Sequence, residues 1–492
     1  MSENQEPHEP IAESELLQIR RDKLELLKEA GIDPFGQYFS TTHEISDLKS
    51  NFTEDSLVSV AGRITSRRDM GKSQFFDIAN AHGRIQCYLN KKGVGDEAFD
   101  VFTKMLDIGD WVGVSGKTFT TKVGEPTINI ETLTVLSKAL RPLPDKFHGV
   151  VDREIKYRQR YLDLIANPES TKIFLQRCQI IAEIRRFLEA RGFLEVETPM
   201  LQDVAGGAAA QPFETHHNAL GMDMYLRIAP ELFLKRLMVG GLTKIFELNR
   251  SFRNEGISRR HNPEFTMLEI YQACADFPAM ADMVEEMICH LAENFCGGLQ
   301  VEHHDEEGNT IRSINLQRPW KRRAYRDCIK EIDSDWFSYS PEQRRTRCQE
   351  LGIEISEAME DYEVTQQVFE KLVEEKTFDP CFVTHVPKEL VPLAKQNAED
   401  GSLVDVYELI INGQEISPGY SELNDPDAQR SRLKHQAGEE TQKVDEDFLL
   451  ALEYGMPPAG GVGIGIDRLV MMLTGAASIR DVVLFPQLKR RE

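Results

Sequence analysis

Residues 251–272, SFRNEGISRRHNPEFTMLEIYQ, place cationic, carboxylate, aromatic and phenolic side chains within one short segment. A basic, loop-like stretch runs into an alternating stretch typical of a β-strand. Side chains at every second position of a strand share a face, which predicts a common face for Phe265, Met267, Glu269 and Tyr271. The loop before them contains Arg253, Glu255, Arg259, Arg260 and His261. This arrangement predicts a phosphate-handling loop beside an acidic pocket sized for an amine; an edge hairpin with a solvated charge run is the alternative.

A second candidate site is the segment VYELIINGQEIS, residues 406–417. Asn-Gly between two apolar runs is a strong hairpin signal. With Asn412 and Gly413 as the turn, Ile411 pairs with Gln414, Ile410 with Glu415, and Glu408 with Ser417. Glu408 and Glu415 then become diagonal neighbours on one face, roughly 7 Å apart at the backbone. Two such carboxylates can hold Mg²⁺ and leave positions for phosphate oxygens; two exposed acids on a hairpin are the alternative.

The C-terminal segment GVGIGIDR, residues 461–468, has part of a dinucleotide fingerprint, but Ile466 stands where GxGxxG requires the last glycine. What remains is a glycine-rich strand leading into a helix whose first turn carries Asp467 and Arg468. Glycines let a ligand approach the backbone, and an arginine there can stack on a base or clamp a phosphate. An ordinary helix start is the alternative.

Composition limits the class of protein. The 492 residues predict two to four domains. Acidic residues outnumber basic ones 81 to 58, which argues against a generally basic nucleic-acid coat but not against a local basic patch. No apolar run approaches the roughly 18 residues of a membrane helix, and the polar N-terminus lacks the pattern of a secretory signal. The eight cysteines form no CxxC pair, so neither a zinc site nor a disulfide framework is expected. A cytoplasmic protein is the simplest interpretation.

The N-terminal third predicts a disordered tail at 1–12, then a helix that ends near Gly31, within a domain of residues 13–145. The helix's basic residues are expected to form a solvated face, with RNA contact as the alternative. Five short strands between 57 and 137 predict an oligonucleotide/oligosaccharide-binding (OB) β-barrel. Such a face binds single-stranded nucleic acid by aromatic stacking and nearby cations. Its candidate base-reading residues are Arg67, Phe75, Gln86 and Glu125.

A connector at 140–150, rich in proline, precedes the second predicted domain, residues 146–490. An amphipathic helix in this domain is expected to stop at Gly192, and FLEVETPML to form a strand. From about 275 to 400 the pattern turns helical. His303 and His304 within it lack helical ligand spacing, so a solvated turn is expected there rather than a metal site.

Together these pieces resemble the class II aminoacyl-tRNA synthetases, and within them the lysine-specific enzymes of the bacterial type. ARGFLEVETPML resembles the first class motif, FRNEGISRRHNPEFTMLEIYQ the second, and GVGIGIDRLVMML with FPQ the third. The resemblance implies an α+β protein in which a catalytic domain, an antiparallel sheet flanked by helices, follows an N-terminal five-stranded OB-type barrel. It also implies a helical insertion within about 275–400, homodimerisation through the first motif, and the substrates ATP, L-lysine and tRNA(Lys).

The resemblance further implies a role for each matching residue. Arg253 would grip the ATP α-phosphate and the amino-acid carboxylate, Phe265 would stack on adenine, and Arg468 would cover the nucleotide's other side. Arg253, Arg468 and Glu255 are the catalytic candidates. The candidate ATP ligands are Arg253, His261, Asn262, Phe265 and Arg468. The candidate lysine ligands are Gly206, Glu231, Glu269, Tyr271, Tyr420 and Glu422. Glu408 and Glu415 would hold Mg²⁺, and the barrel residues named above would read the anticodon.

Three residues depart from the family pattern beside the amino-acid pocket, namely Pro418, Ala205 and Gln211. Two other functions compete with lysine activation and transfer to tRNA. An aspartyl- or asparaginyl-type enzyme is disfavoured because an acidic pocket repels aspartate. A synthetase-like protein that lysylates another protein, or only binds, is disfavoured by the intact barrel.

Overall fold

The computed structural model describes residues 13–36, 38–143, 152–208, 210–305, 307–439 and 444–489. Backbone contacts divide the chain into two compact units, Met1–Thr171 and Lys172–Glu492. The predicted tail at 1–12 and most of the predicted connector at 140–150 lie outside the described residues. The predicted domain boundary at 145/146 stays a prediction.

The first unit contains a closed five-stranded barrel with the strand order β1-β2-β3-β5-β4. Its strands are β1 Leu57–Asp69, β2 Ser73–Asn80, β3 Gly83–Asn90, β4 Trp111–Thr120 and β5 Pro126–Ser137. Alternate side chains of each strand fill the interior, as the pleat requires; Val58, Val60 and Ile64 of β1 are buried there. The predicted barrel is therefore confirmed.

Helices accompany the barrel in the same unit. They are α1 Glu13–Glu29, α2 Ile45–Ser50, α3 Lys91–Val94, α4 Asp96–Asp100, α5 Arg153–Arg158 and α6 Arg160–Ala166, with a π-helical turn at Val101–Met105. Gly31, with φ of +72°, follows the end of α1 as predicted. The basic face of α1 is not wholly solvated: Arg20 is buried and donates to the carbonyls of Ala139 and Ile108 at 2.8 Å. Arg20 thus fastens the helix to the segments that precede β4 and follow β5.

The second unit is built on an eight-stranded sheet with the order β14-β15-β16-β17-β18-β11-β10-β6. Its strands are β6 Leu194–Glu195, β10 Lys244–Phe252, β11 Glu264–Ala273, β14 Lys321–Ala324, β15 Cys381–Thr384, β16 Val406–Ile411, β17 Gln414–Ser421 and β18 Ala459–Gly465. Only the pairs β14–β15 and β6–β10 are parallel within this sheet. A three-stranded sheet comprises β7 Leu201–Gln202, β8 Phe213–His217 and β9 Met222–Leu226, and a hairpin comprises β12 Gln300–His304 and β13 Thr310–Asn315. The predicted α+β class with an antiparallel catalytic sheet is confirmed.

Helices pack on both faces of the large sheet. The helices of this unit are α7 Pro168–Glu189, which starts just before the division, α8 Glu231–Val239, α9 Phe277–Phe295, α10 Tyr325–Ile332, α11 Pro341–Glu350, α12 Asp361–Leu372, α13 Pro426–Glu439, α14 Glu446–Glu453, α15 Ile466–Thr474 and α16 Ile479–Val482. Leu268 and Ile270 of β11 pack in one apolar cluster with residues of α7, α9 and α15. Tyr271 belongs to a second cluster on the opposite face, with residues of α8 and α14. No helix in the described ranges combines the length and apolar character needed to cross a membrane.

The segment 275–400 contains strands as well as the expected helices, since β12 to β15 lie within it. The solvated turn expected for His303 and His304 is wrong: both lie in β12, and His303 is buried. His303 Nε2 lies 2.7 Å from the carbonyl oxygen of Met472. Burial lowers the pKa of this imidazole, so the neutral ring donates to the last turn of α15. FLEVETPML, expected to be one strand, forms only the two-residue strands β6 and β7.

Candidate active site

Three segments of the second unit enclose a cavity of about 220 Å³. They are the loop between β10 and β11, the β16–β17 hairpin, and the first turn of α15. The lining includes every predicted ATP ligand and the one remaining catalytic candidate, Glu255. Its members are Arg253, Glu255, Gly256, Arg260, His261, Asn262, Pro263, Phe265, Thr266, Met267, Glu415, Ile416, Pro418, Gly465, Asp467, Arg468 and Ile479. Residues far apart in the chain are thus brought together.

Arg253 lies against the aromatic side chain predicted to stack on a base. Its guanidinium carbon is 5.1 Å from the centroid of the Phe265 ring, and its backbone N–H donates to the Pro263 carbonyl at 2.9 Å. Burial lowers the pKa of the guanidinium, although Glu255, Glu415 and Glu269 act to raise it. Its Nε atom is buried and has no hydrogen-bond partner among the described residues. A buried donor without a partner is costly, so this arginine is prepared for an anionic ligand.

Arg468 closes the cavity from α15. One guanidinium nitrogen donates to the backbone carbonyl of Glu415 at 2.9 Å, and the other lies 3.1 Å from His261 Nε2. Burial and the charge of Arg468 lower the pKa of His261. The neutral imidazole then accepts from Arg468 at Nε2 and donates from Nδ1 to Ser258 Oγ, 2.8 Å away. This chain of bonds orients Arg468 before any ligand binds.

Asn262 lines the cavity, but its side chain already has partners in the protein. Its Nδ2 donates to the Glu264 carbonyl at 2.6 Å, and its Oδ1 accepts from the Gln487 N–H at 3.3 Å. These bonds tie the loop to the C-terminal segment. Asn262 therefore shapes the cavity, and its role as an ATP ligand stays a prediction.

Sequence reasoning missed the support beneath Phe265. Asp467 is buried; one of its carboxylate oxygens accepts from the Thr266 N–H at 2.9 Å, and the other pairs with Arg177 at 2.7 Å. Arg177 also donates to the Thr266 hydroxyl at 3.0 Å. Asp467 adjoins Arg468 in the sequence and could have been suspected, but Arg177 lies in α7, and no local pattern connects it with the site.

The predicted hairpin forms, with one error of register. Ile411 pairs with Gln414 and Ile410 with Glu415 as expected, but Glu408 pairs with Pro418 rather than Ser417. A bulge between these pairs adds one residue to β17, which a two-residue turn alone does not reveal. The shared face survives because Glu408 alternates with Ile410, the partner of Glu415.

The carboxylates of Glu408 and Glu415 also interact electrostatically. Burial and the charge of Glu415 raise the pKa of Glu408 well above its usual value. A third acid, Glu374, accepts the Glu415 N–H at 3.1 Å, and burial and Glu415 raise its pKa to about 7. Converging carboxylates that resist joint ionisation fit a hard cation. Within the described residues no group of three or more side chains is arranged to hold a metal alone, so this pair would need oxygen atoms from a ligand or water.

A buried acidic pocket lies further along the same face of β11. Glu231, Glu269 and Glu422 are each at most 6 % exposed. Tyr271 donates its hydroxyl to Glu269 at 3.0 Å, and Tyr420 donates its hydroxyl to Glu231 at 2.7 Å. All the predicted lysine-binding side chains are thus brought together. Sequence reasoning missed one member, Lys235, which pairs with both Glu231 and Glu422.

Two acids of this pocket, Glu269 and Glu422, have raised pKa values. Burial raises the pKa of Glu269 to about 8, with Glu231 and Glu247 adding to the effect. Burial raises the pKa of Glu422 to about 8 as well, although Lys235 acts to lower it. Two buried carboxyls that ionise near neutral pH mark a functional site, and a cation entering the pocket would favour their charged forms.

Two glycine segments bound this pocket. A Cβ at Gly461 of β18 would lie 1.8 Å from Glu422 Oε1, so this glycine makes room for the carboxylate. A Cβ at Gly206 would lie 2.7 Å from Leu232, so the Gly/Ala loop packs directly on the start of α8. The Gln211 carbonyl accepts from the Asn254 N–H at 2.7 Å and joins this loop to the one after β10. Of the three departures from the family pattern, only Pro418 lines the cavity described above.

The barrel carries a separate open cavity of about 850 Å³. Phe75 packs on Tyr88 at 4.8 Å between ring centroids, and Gln86 and Glu125 also line it. Arg67 does not: its guanidinium donates to the carbonyls of Phe102, Leu106 and Thr103 at 3.2 to 3.4 Å. The residue that lines the cavity is Arg68, directly opposite Phe75 across the strand pair. Adjacent side chains of a strand point to opposite faces, which is why Arg68 lines the cavity and Arg67 does not; the role of Arg67 as a base reader stays a prediction.

Comparison with known proteins agrees with this geometry. The model of "tRNA synthetases class II (D, K and N)" matches residues 152–489, and that of the OB-fold nucleic acid binding domain matches residues 58–136. The chain is 48% identical over 489 residues to the lysine–tRNA ligase of Carboxydothermus hydrogenoformans, covering 97% of this chain and 99% of that one. It is 49% identical over 491 residues to the lysine–tRNA ligase of Pelotomaculum thermopropionicum, covering 97% and 96%. With both parts of its fold and nearly all of its length matched, the chain belongs to the class II tRNA synthetases of the aspartate, lysine and asparagine group.

Proposed function

We propose that this chain is a lysine–tRNA ligase, which activates L-lysine with ATP to lysyl-adenylate and transfers the lysine to the 3′ end of tRNA(Lys). The names of its relatives support this function. The observation that carries it is the buried cluster of Glu231, Glu269 and Glu422. Its member Glu269 shares a face of β11 with Phe265, which packs against Arg253. Acids this deeply buried need cations, and lysine brings two.

Selection of lysine follows from the cost of leaving these acids without a partner. A buried carboxylate is compensated only when an ammonium reaches it. Leucine or methionine would fill the same space and leave the acids unpaired, and a site built to bind a polar group rejects analogues that lack it. Aspartate would add a like charge. Glu269, Tyr271 and Glu422 are proposed to hold the ε-ammonium, and Glu231 with the backbone at Gly206 the α-ammonium.

Adenylate formation asks for positioning rather than proton transfer. The lysine carboxylate is already a nucleophile and attacks the α-phosphate in line. Arg253 is proposed to hold both reacting groups, while Phe265 stacks on adenine and Arg468 neutralises the outer phosphates. Preorganised cations in a site shielded from water stabilise the charge that develops on phosphate oxygens.

Magnesium fits the pair of Glu408 and Glu415. Mg²⁺ is usually held by one or two carboxylates together with substrate phosphates and water. When bound, it would neutralise charge on the ATP phosphates. We propose these two residues as its ligands, with Glu374 fixing the backbone of Glu415.

The barrel face is proposed to read the anticodon of tRNA(Lys) through Phe75, Gln86, Glu125 and Arg68. The segment of the first class motif is proposed to form a homodimer, supported by the exposed apolar side chains of Leu194 and Leu201. We propose a cytoplasmic location, where protein synthesis consumes the charged tRNA.

The proposed function is tested by exchange of pyrophosphate into ATP with each amino acid. Lysine should support exchange, and its KM should rise as the pH falls below about 8, because lysine requires Glu269 and Glu422 in their charged forms. Each carboxyl whose pKa lies above the assay pH raises the KM for lysine by up to about tenfold per pH unit. The KM for ATP serves as the internal control. Exchange that is faster with aspartate or asparagine, or absent with lysine, would contradict the proposal.

The barrel face is tested by replacing Arg67 and Arg68 one at a time. Arg68→Ala should weaken tRNA(Lys) binding by about tenfold, the cost of one exposed phosphate or stacking contact. Arg67→Ala should instead lower the melting temperature, since it removes bonds to three carbonyls. Lys49→Ala, an exposed cation away from the cavity, is the matched control. Equal loss of tRNA affinity in Arg68→Ala and Lys49→Ala, measured by gel shift, would count against this face.

A further inference from the structure

Lys235 is a fully buried cation whose partners are acids of the substrate pocket. It lies one turn after Glu231 in α8, and its Nζ is 2.8 Å from Glu231 Oε1 and 2.6 Å from Glu422 Oε2. Its side chain is 0 % exposed. The Tyr420 ring centroid is 5.7 Å from the same ammonium. Lys235 therefore joins two acids that the proposed function assigns to opposite ends of the substrate.

We propose that Lys235 is a positioning residue that sets the charge and spacing of the lysine pocket, so that Glu231 and Glu422 each keep one carboxylate oxygen for a substrate ammonium. This inference rests on the proposed function. The free oxygen of Glu422 is Oε1, which is buried and has no hydrogen-bond partner among the described residues. Lys235 contacts the other oxygen, Oε2, at 2.6 Å, and the free oxygen lies beside Gly461 and the Tyr271 ring, in the pocket.

Charge counting supports this role. Glu231, Glu269 and Glu422 contribute three negative charges when ionised, and Lys235 offsets one of them. Two remain, which equals the charge of the α- and ε-ammonium groups of lysine. An amino acid with only an α-ammonium would leave one buried carboxylate uncompensated, which is costly. Without Lys235, even lysine would leave an excess negative charge.

The position of Lys235 in its helix argues against a purely structural role. Leu232, Leu234 and Met238 of α8 are buried in the apolar core, so the same helix is held by ordinary packing on its other positions. A buried ion pair is often no more stabilising than apolar residues of similar size. A lysine retained here, with both partners in the pocket, is therefore better explained by what it does to those partners.

Titration of the pocket depends on several other groups. Burial alone would lower the pKa of Lys235, but Glu231 and Glu422 raise it above its usual value, so it stays charged throughout the neutral range. The charged and titratable groups that face the three acids are Lys235 from α8, Arg227 before α8, Glu247 from β10, Arg253 after β10, Tyr271 from β11 and Tyr420 from β17. Arg227 Nη1 forms an ion pair with Glu247 Oε1 at 2.6 Å. Lys235 is thus the cation that contacts Glu231 and Glu422 directly.

The test is lysine-dependent pyrophosphate exchange by the full chain between pH 6 and 8.5. Lys235→Met should raise the KM for lysine by about 30-fold and leave the KM for ATP within about twofold, as expected for removing one partner of a buried charge pair. The acid limb of the profile, defined as the pH range in which the KM for lysine rises as the pH falls, should move up by about one pH unit. Removing a nearby positive charge raises the pKa of the acids. Lys235→Arg should keep that limb in place while raising the KM for lysine by about tenfold. The positive charge remains, but the longer side chain and planar guanidinium place it differently.

Two further comparisons make the result specific. Arg236→Met is the matched control: it removes the next cation of α8, whose partner Asp445 at 2.8 Å lies outside the pocket. It should leave the acid limb unchanged. In a Glu422→Gln background, Lys235→Met should raise the KM for lysine less than it does alone, since one of its two partners is already neutral.

Each outcome decides between explanations. An unchanged acid limb in Lys235→Met, or equal rises in the KM for lysine and for ATP, would overturn the inference and leave Lys235 a structural residue. If Lys235→Met does not fold, judged by circular dichroism, the Lys235→Arg result decides: an unchanged KM for lysine overturns the inference. Absence of lysine-dependent exchange in the unmodified chain would instead reject the proposed function.

Discussion

Replacing Arg253 by alanine is expected to slow lysine-dependent adenylate formation by roughly 100- to 1,000-fold, the cost of removing one preorganised donor to a developing oxyanion. The guanidinium is buried against Phe265, and its Nε has no partner among the described residues. A single side chain thus faces both the proposed nucleotide and the proposed amino-acid carboxylate. Single-turnover formation of the adenylate, measured at saturating ATP and lysine, separates this effect from weaker binding.

Arg250→Ala is the matched control for Arg253. Arg250 lies on β10, three residues earlier, and its charged group pairs only loosely with Glu264, at 3.7 Å. Its loss should change the rate by less than about threefold, as is usual for exposed ion pairs. A near-normal rate in Arg253→Ala, or equal losses in both variants, would show that the second motif has been placed wrongly.

The second large effect is expected at the paired carboxylates. Glu415→Gln should lower the rate of pyrophosphate exchange by about 100-fold at ordinary magnesium concentrations and raise the concentration of Mg²⁺ needed for half-maximal rate. The backbone contacts of Glu415, its N–H to Glu374 and its carbonyl to Arg468, do not depend on the carboxylate and should persist. The loss is therefore expected in metal use and not in the position of Arg468.

Glu375→Gln provides the comparison for Glu415. Glu375 is a nearby exposed acid paired with Lys371 at 2.7 Å and does not line the cavity. It should show the same magnesium dependence as the unmodified chain. An unchanged magnesium requirement in Glu415→Gln would remove the metal assignment while leaving the rest of the proposed function intact.

Local patterns predicted most of the site's backbone. Alternation in β11 correctly placed Phe265, Met267, Glu269 and Tyr271 on one face, because the two-residue period of a strand is a steric necessity. Asn412 and Gly413 correctly marked the turn of the β16–β17 hairpin, where both residues have φ above +50°. The barrel followed from strand spacing, and the family resemblance supplied the α+β class and the connection between segments.

The errors arise where one residue of register or a long-range contact decides the result. A bulge in β17 displaced the partner of Glu408, and one position on a strand decides that Arg68 rather than Arg67 lines the barrel cavity. Lys235 was missed because a lysine in an apolar helix usually lays its stem along the apolar surface and extends its ammonium to solvent. The support of Thr266 by Arg177 and Asp467 depends on residues 89 and 201 positions away in the chain, which only tertiary folding brings together.

Strand β11 carries Phe265 at one end and Tyr271 near the other, so the separation between the two binding halves is about 20 Å at the backbone, six residues at the strand repeat. This distance is built into a paired interior strand, between β10 and β18. Loop movements can open or close the site, but they cannot change this length. Deleting or inserting one residue in β11 would reverse the face of every side chain on one side of the change. The side chains of one binding half would then point into the core. Evolution of a new amino-acid preference on this scaffold is therefore confined to exchanging side chains, with the length of the strand held constant.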